Sequence, residues 1–222
     1  RAFVSGGGAI DKEIGEFLNA IGLPTLQGYG LTETSPVVSC NPIQKIKVET
    51  VGPPFKGNEV RIAEDGEILV KGENVMLGYW NNKEETDKVL KNGWLHTGDI
   101  GVMDRNGYLD ITDRKKDMII TGGFNVYPAE VENSLMSHPE IGQIAIVGAP
   151  DERLGEIAVA FVVPTKQTAP TEADLIIWAR ERIANFKVPR QVIFVDHLPT
   201  NASGKVLKFE LRESINSSKQ VD

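Results

Sequence analysis

The chain has little of several things that would narrow its role at once. A single cysteine, Cys40, stands in 222 residues. No internal disulfide can form, and the reading is a protein of a reducing compartment, the cytoplasm. The three histidines, His96, His138 and His197, lie in different local settings, none spaced from a cysteine or acid like a zinc ligand set. Positive charge is in deficit: Lys+Arg 24 against Asp+Glu 31 leaves −7, which argues against a basic nucleic-acid binder. The longest strongly apolar run, residues 157–163 (IAVAFVV), is far short of a membrane span. No strongly basic amphipathic helix offers more than peripheral membrane contact. The Walker phosphate loop, the dinucleotide fingerprint and the G-x-S-x-G nucleophile elbow are all missing. No secretory signal is read either. The first residue is Arg1 and a strand-like run follows at once, so the sequence is expected to be a piece of a longer protein.

What is present is an ordinary globular composition, 41% hydrophobic and 25% charged. A chain of this length buries about 70% of its unfolded surface. Residues 2–5 (AFVS) read as a short buried strand, followed by the run Gly6-Gly7-Gly8. Ile14, Phe17, Leu18 and Ile21 then recur at helical spacing, with Asp11 as cap and Gly22 as stop. A second strand returns over PTLQGYG, completing an α/β unit. From 51 to 112 short strand-like runs alternate with EDG, KNG and RNG turns around one short helix, NKEETDKVL, predicting a β-rich subdomain of hairpins. Beyond 117 the pattern predicts a helix from Pro128 through Met136, buried strands over 141–150 and 157–163, and a capped helix from Thr171 to Ile183. A further strand, QVIFV, and a last amphipathic helix beginning near Lys205 follow, with a frayed polar tail over 214–222. The fold class is therefore mixed: an α/β unit with a small β-rich subdomain over residues 1–113, a charged hinge over 114–117, and a small α+β domain over 118–222. No internal repeat is seen.

Four segments carry candidate chemistry. SGGGA (5–9) precedes a helix, where glycines let backbone approach a phosphate or nucleotide; a tight strand–helix connection fits as well. QGYGLTETSP (27–36) sets Tyr29 between Gly28 and Gly30, which clear space for a purine against the ring. Thr32 and Glu33 beside it suit a phosphate and its Mg²⁺. LPTNASGKVLKFEL (198–211) sets Lys205 after a glycine at a helix mouth, where a point charge can meet phosphate or carboxylate; a solvated surface lysine is the plainer reading. GWLHTGDIG (93–101) contains Thr97-Gly98-Asp99. On this segment alone, a turn and a carboxylate held for a ribose diol both fit.

Taken in order, SGGGA, QGYGLTE, GEILVKG, GWLHTGDIG, TDRKKDMIITGGFNVYPAEVE and PTNASGKVLK resemble the adenylate-forming superfamily of acyl-CoA synthetases, luciferases and peptide-synthetase adenylation domains. The resemblance covers roughly residues 4–213, the last ~40% of a full-length enzyme, in which a large adenylating domain is joined by a hinge to a small C-terminal domain. Within it, GYGLTETSPVVS and DRKKDMIITGGFNVYPAEVE look most like bacterial-type medium- or long-chain fatty acid–CoA ligases. The implied chemistry is attack of a carboxylate on the α-phosphorus of ATP, giving acyl-AMP and pyrophosphate, and then transfer of the acyl group to coenzyme A. Carried over by position, Asp99 would grip the ribose hydroxyls. Tyr29 and Gly30 would lie at the adenine, with Gly7, Gly8 and Ala9 as the other wall. Thr32 would contact phosphate, Glu33 would hold Mg²⁺, Arg114 would bond ribose or phosphate, and Ile111 would pack near the nucleoside. Lys205 would bridge the substrate carboxylate and the α-phosphate. Lys116 falls at the hinge, and Gly122-Gly123 form the loop that meets the pantetheine of CoA. The family's Ser/Thr/Gly-rich phosphate loop is not found in the sequence, so the piece alone is expected to lack turnover. Two alternatives stand beside this reading: a ligase for an aryl or other small acid, and a non-catalytic adenylate-binding module. The expected partners are small molecules, and an oligomer is open.

Overall fold

The computed structural model describes residues 2–165, 170–202 and 204–218, without the side chains of 216–218. It divides into two compact units, Arg1–Lys115 and Lys116–Asp222.

The first unit opens with β1 (Phe3–Gly6), α1 (Lys12–Ala20), β2 (Thr25–Tyr29) and β3 (Ser39–Cys40). The Asp11 carboxylate accepts the Ile14 amide at the N-terminus of α1, satisfying an amide that has no partner inside the helix. Gly22, at φ +77°, follows its end. β1 pairs in parallel with β2, Gly6 opposite Gly28, so the glycine run and the Tyr29-Gly30 turn leave the same, carboxyl edge of the sheet. That edge is where open α/β sheets place ligands. The expectation of a buried first strand fails. Phe3 and Val4 are 62% and 72% exposed, because little of the described chain packs over their side chains.

The remainder of this unit is a sheet of β4 (Glu59–Ile62), β5 (Glu67–Lys71), β6 (Leu90–Lys91), β7 (Trp94–Met103) and β8 (Leu109–Arg114), with α2 (Lys83–Val89) between β5 and β6. β6 and β7 are joined by Asn92-Gly93, both at positive φ, the condition of the two-residue turn whose twist matches the strands. Val38, Ile68, Val70 and Leu109 are fully buried at its centre, with Tyr29, Val60, Met103 and Ile111 packed against them.

The second unit contains β9 (Ile119–Thr121), β10 (Phe124–Val126), α3 (Pro128–Leu135), β11 (Ile141–Asp151), β12 (Gly155–Pro164), α4 (Glu172–Arg180), β13 (Gln191–Phe194) and α5 (Lys208–Ser218). The sheet runs β10-β9-β12-β11, with β13 parallel to β12. Alternate residues of β11 and β12 feed two cores. Ile144, Ile146, Ala158, Ala160 and Val162 meet α3 and α4, while Ala145, Val147, Val159 and Phe161 meet Leu211 and Ile215 of α5. Burial of both faces explains why these strands read as unbroken apolar runs rather than alternating ones. Pro128 opens α3, and Thr171 and Asp174 form a reciprocal capping box on α4.

Three boundaries differ from expectation. α4 ends at Arg180 rather than Ile183, and Arg182 and Ile183 both turn back to the Ala179 carbonyl. The last helix starts at Lys208, because residues 199–207 close on themselves first. Thr200 bridges Val206, and the Leu207 amide donates to Pro199. α5 also runs on to Ser218, where polar composition had predicted fraying; residues 219–222 lie outside the described residues. No helix among the described residues is long and apolar enough to cross a membrane.

Candidate active site

Thr97-Gly98-Asp99 is a bulge inside β7. Glu67 pairs with Ile100 and Leu69 with His96, so three residues of β7 oppose the single residue Ile68. A bulge bends its strand and re-aims a side chain. Gly98, at φ +72°, supplies the conformation that other residues resist. The Thr97 hydroxyl donates to the Ile68 carbonyl at 2.8 Å and accepts the Asp99 amide at 3.1 Å. The turn-forming residue types thus build the bulge, and the bulge directs Asp99.

Asp99 is 9% exposed and meets two other residues singled out in the sequence. The Tyr29 hydroxyl, at the end of β2, donates to Asp99 Oδ2 at 2.7 Å. Arg114, opposite Asp99 in the β7–β8 ladder, brings Nε to 4.0 Å from Oδ1. Burial, and then the Asp99 charge, push the Tyr29 phenol well above its ordinary value, so it stays a neutral donor at physiological pH. Gly30 has a steric reason: a Cβ there would stand 1.8 Å from the Pro36 carbonyl oxygen. Gly7, Gly8 and Ala9 are exposed in the turn after β1, on the sheet edge shared with Tyr29. Ile111, on β8, is packed into the core of the unit.

Thr32 and Glu33 form a single 3-10 turn after β2. Thr32 is exposed, and Glu33 Oε1 accepts the Tyr79 hydroxyl at 2.8 Å. The Glu33 carbonyl also accepts the Met76 amide, fixing the turn. Burial and the Glu33 carboxylate raise the Tyr79 phenol above its usual range.

A second carboxylate escaped the sequence reading. Glu67, 5% exposed, accepts the Gly98 amide at 3.0 Å and lies 3.0 Å from both His96 Nδ1 and Lys115 Nζ. Burial alone would raise its carboxyl; the hydrogen bonds from His96, Lys115 and Gly98 outweigh that and hold it below the usual range. Glu67, His96, Thr97, Gly98 and Lys115 line a cavity of about 680 Å³. Their separation of up to 48 residues hides this cluster from any local pattern. The one available signal is a lone acid in an otherwise apolar strand, GEILV.

In the second unit, Lys205 is exposed in the loop before α5. Its amide donates to Asn201 Oδ1, and its carbonyl accepts the Asn201 amide, both at 2.9 Å. Ser203 lies outside the described residues. Gly122 and Gly123 join β9 to β10 at φ +57° and +83°, with the Gly122 amide on the Leu154 carbonyl. Lys116 is exposed in a 3-10 turn, Lys115–Asp117.

The fold is that of the C-terminal portion of adenylate-forming enzymes. Structures of the o-succinylbenzoate CoA synthetase of Bacillus subtilis match 96% of this chain with its acyl-adenylate bound (TM-score 0.86, 36% identity) and 95% with ATP and magnesium ion (0.84, 37%); the matches span 46% of those chains. Residues 1–80 match the AMP-binding enzyme family, and residues 130–205 match the AMP-binding enzyme C-terminal domain. The chain therefore carries both N-terminal-part and C-terminal-part domains of the AMP-binding superfamily. A propanoyl:CoA ligase of Rhodococcus jostii, whose acid bears a methylated dioxo-octahydroindene, is 53% identical over 85% of this chain and 37% of its own length. The long-chain-fatty-acid–CoA ligase of Escherichia coli is 43% identical over 94% and 39%. The chain thus spans well under half the length of these relatives.

Proposed function

We propose that the protein activates a carboxylic acid with ATP, forming an acyl-AMP and pyrophosphate, and then passes the acyl group to coenzyme A. The observation that carries this is the buried Asp99 carboxylate, aimed by a bulge and flanked by the Tyr29 hydroxyl and Arg114. A fixed carboxylate accepts hydrogen bonds from both hydroxyls of a ribose with charge-assisted strength. Tyr29 and Gly30, with the exposed Gly7-Gly8-Ala9 turn on the same sheet edge, form the adenine side. Arg114 bonds ribose or phosphate, and Ile111 closes the apolar floor.

Glu33 fits a Mg²⁺ ion in chemistry: an oxygen donor on a fixed turn, beside the exposed Thr32 hydroxyl. Mg²⁺ takes one or two carboxylates and draws its other oxygens from phosphates and water. The ion would neutralise phosphate charge. Lys205 sets a positive charge between the substrate carboxylate and the α-phosphate, stabilising the charge that develops as the new bond forms. Lys116 is the hinge by which the second unit presents first Lys205 and then Gly122-Gly123, the latter to the pantetheine of CoA.

The preferred acid is fatty, in line with the Escherichia coli relative. A bulkier cyclic or aryl acid is the second reading, favoured by the higher identity of the Rhodococcus ligase. The experiment is acyl-CoA formation by the full-length polypeptide with ATP, Mg²⁺, CoA and a panel of graded fatty, aryl and bicyclic acids. Turnover with one class assigns it. Tight binding of a non-hydrolysable acyl-adenylate analogue with no turnover on any acid would replace the ligase with a binding module.

A further inference from the structure

The residues on either side of Lys116 are held quite differently from Lys116 itself. Lys115, the last residue of the first unit, places Nζ 2.7 Å from Asp65 Oδ2 and 3.0 Å from Glu67 Oε2. Glu67 is buried and its other oxygen accepts the Gly98 amide, so this clamp is rooted in the β7 bulge. The Lys115 hydrogen bond holds the Asp65 carboxyl below the usual range, and both acids raise the Lys115 ammonium.

On the far side, Asp117 Oδ1 accepts Arg212 Nη2 at 2.7 Å, its side chain only 13% exposed. Arg212 belongs to α5, which is fixed to its sheet by buried Leu211 and Ile215. One turn earlier in α5, Lys208 meets Glu132 of α3 at 2.7 Å. Each clamp lies wholly within one unit. Between them stands a single residue, the exposed Lys116.

We propose that these two clamps, Lys115 on Asp65 and Glu67 and Asp117 on Arg212, confine reorientation of the units to the backbone of Lys116. The inference rests on the two-step ligase reading and adds Asp65, Lys115, Asp117 and Arg212 to it as positioning residues. Hinges work through a few residues that absorb large φ/ψ changes. Restricting the change to one residue limits the motion to its φ and ψ rather than a diffuse swing. The second clamp also ties that rotation to α5, the helix that follows the Lys205 loop.

Two readouts test this in the full-length polypeptide. The first needs no substrate: native cysteines are replaced by serine, spin labels are set at Lys91→Cys and Glu152→Cys, and the distance distribution is measured. Lys115→Met with Arg212→Met should broaden it about twofold, and Asp65→Asn part of the way. Lys115→Arg with Arg212→Lys, which keep the charges, should restore the native width. Equal widths in every variant would overturn the proposal.

The second readout separates the half-reactions in single turnovers. Lys116→Pro, which locks φ at the pivot, should slow thioester formation about tenfold relative to adenylation. In the Lys115→Met, Arg212→Met background that penalty should shrink to about threefold or less, because neighbouring residues can then take up the rotation. An undiminished penalty would contradict the clamps. Should no acid give pyrophosphate, the ligase reading falls, and the label distances still decide whether the clamps exist.

Discussion

The two units are built on opposite plans. In the second, α3 and α4 cover one face of the sheet and α5 the other, so β11 and β12 are buried on both sides. In the first, Phe3, Val4, Ile14, Phe17 and Ile21 all stand more than half exposed, and the enclosed core centres on four fully buried side chains. Charge is distributed the other way round. The buried carboxylates among the described residues, Glu67 and Asp99, both belong to the first unit, whereas the second unit sets Lys205 on an exposed loop. Burying a charge is costly unless hydrogen bonds and partners compensate, and both groups have them: Glu67 meets His96, Lys115 and the Gly98 amide, and Asp99 meets the Tyr29 hydroxyl. Fixed, buried acids thus mark the first unit, and an exposed loop lysine the second.

The contrast in packing gives the largest expected effect on stability. Ile146→Ala, at a fully buried position with both neighbouring faces covered, should cost the second unit about 2–5 kcal/mol in denaturant unfolding. A cost near zero would mean that core is not close-packed. The buried charge comes next. Glu67→Gln weakens charge-assisted bonds to His96, Lys115 and the Gly98 amide and should cost about 1–3 kcal/mol at neutral pH. Because the Glu67 carboxyl is depressed in the fold, its stabilisation is complete above the unfolded value near ~4.3. It disappears as pH falls through the lower folded value. Unfolding followed from pH 7 down through that window should therefore lose stability less steeply in the Gln variant, and parallel acid limbs would count against the hub. The smallest effect is expected at the surface of α1. Phe17→Ala, at a side chain 61% exposed, should change stability by no more than about 0.5 kcal/mol. A loss as large as that of Ile146→Ala would erase the difference between the units.

Much of this fold was legible, for reasons that are local. The Asp11 cap, the Thr171–Asp174 box, the Asn92-Gly93 turn and the two-sided strands 141–150 and 157–163 are each determined by residues within a few positions of one another. The tight closure of 199–207 was not, since the Asn201 side chain and the Thr200–Val206 bridge act before a helix can begin. The exposure of β1 depends on what packs over its two faces, which no run of four residues records. At the site, Tyr29 and Asp99 could be singled out by type and Arg114 through the family resemblance, but the hydrogen bond joining Tyr29 to Asp99 spans 70 residues. That Thr97-Gly98-Asp99 is a bulge within one strand, rather than a turn between two, follows from its register against Glu67 and Leu69. Glu67 passed unnoticed because its partners lie 29 to 48 residues away.

In the proposed reaction the first unit binds the nucleotide through a fixed carboxylate while the second supplies the charge for the chemical step. The most direct test is steady-state pyrophosphate release by the full-length polypeptide with Asp99→Asn and Lys205→Ala, reading KM for ATP and kcat separately. Asp99→Asn is expected to act chiefly by raising KM for ATP. Lys205→Ala is expected to lower kcat by about 10²–10³, by analogy with loss of an oxyanion-stabilising donor, and to leave KM nearly unchanged. The same split in both variants, or a Lys205→Ala protein with native kcat, would contradict it.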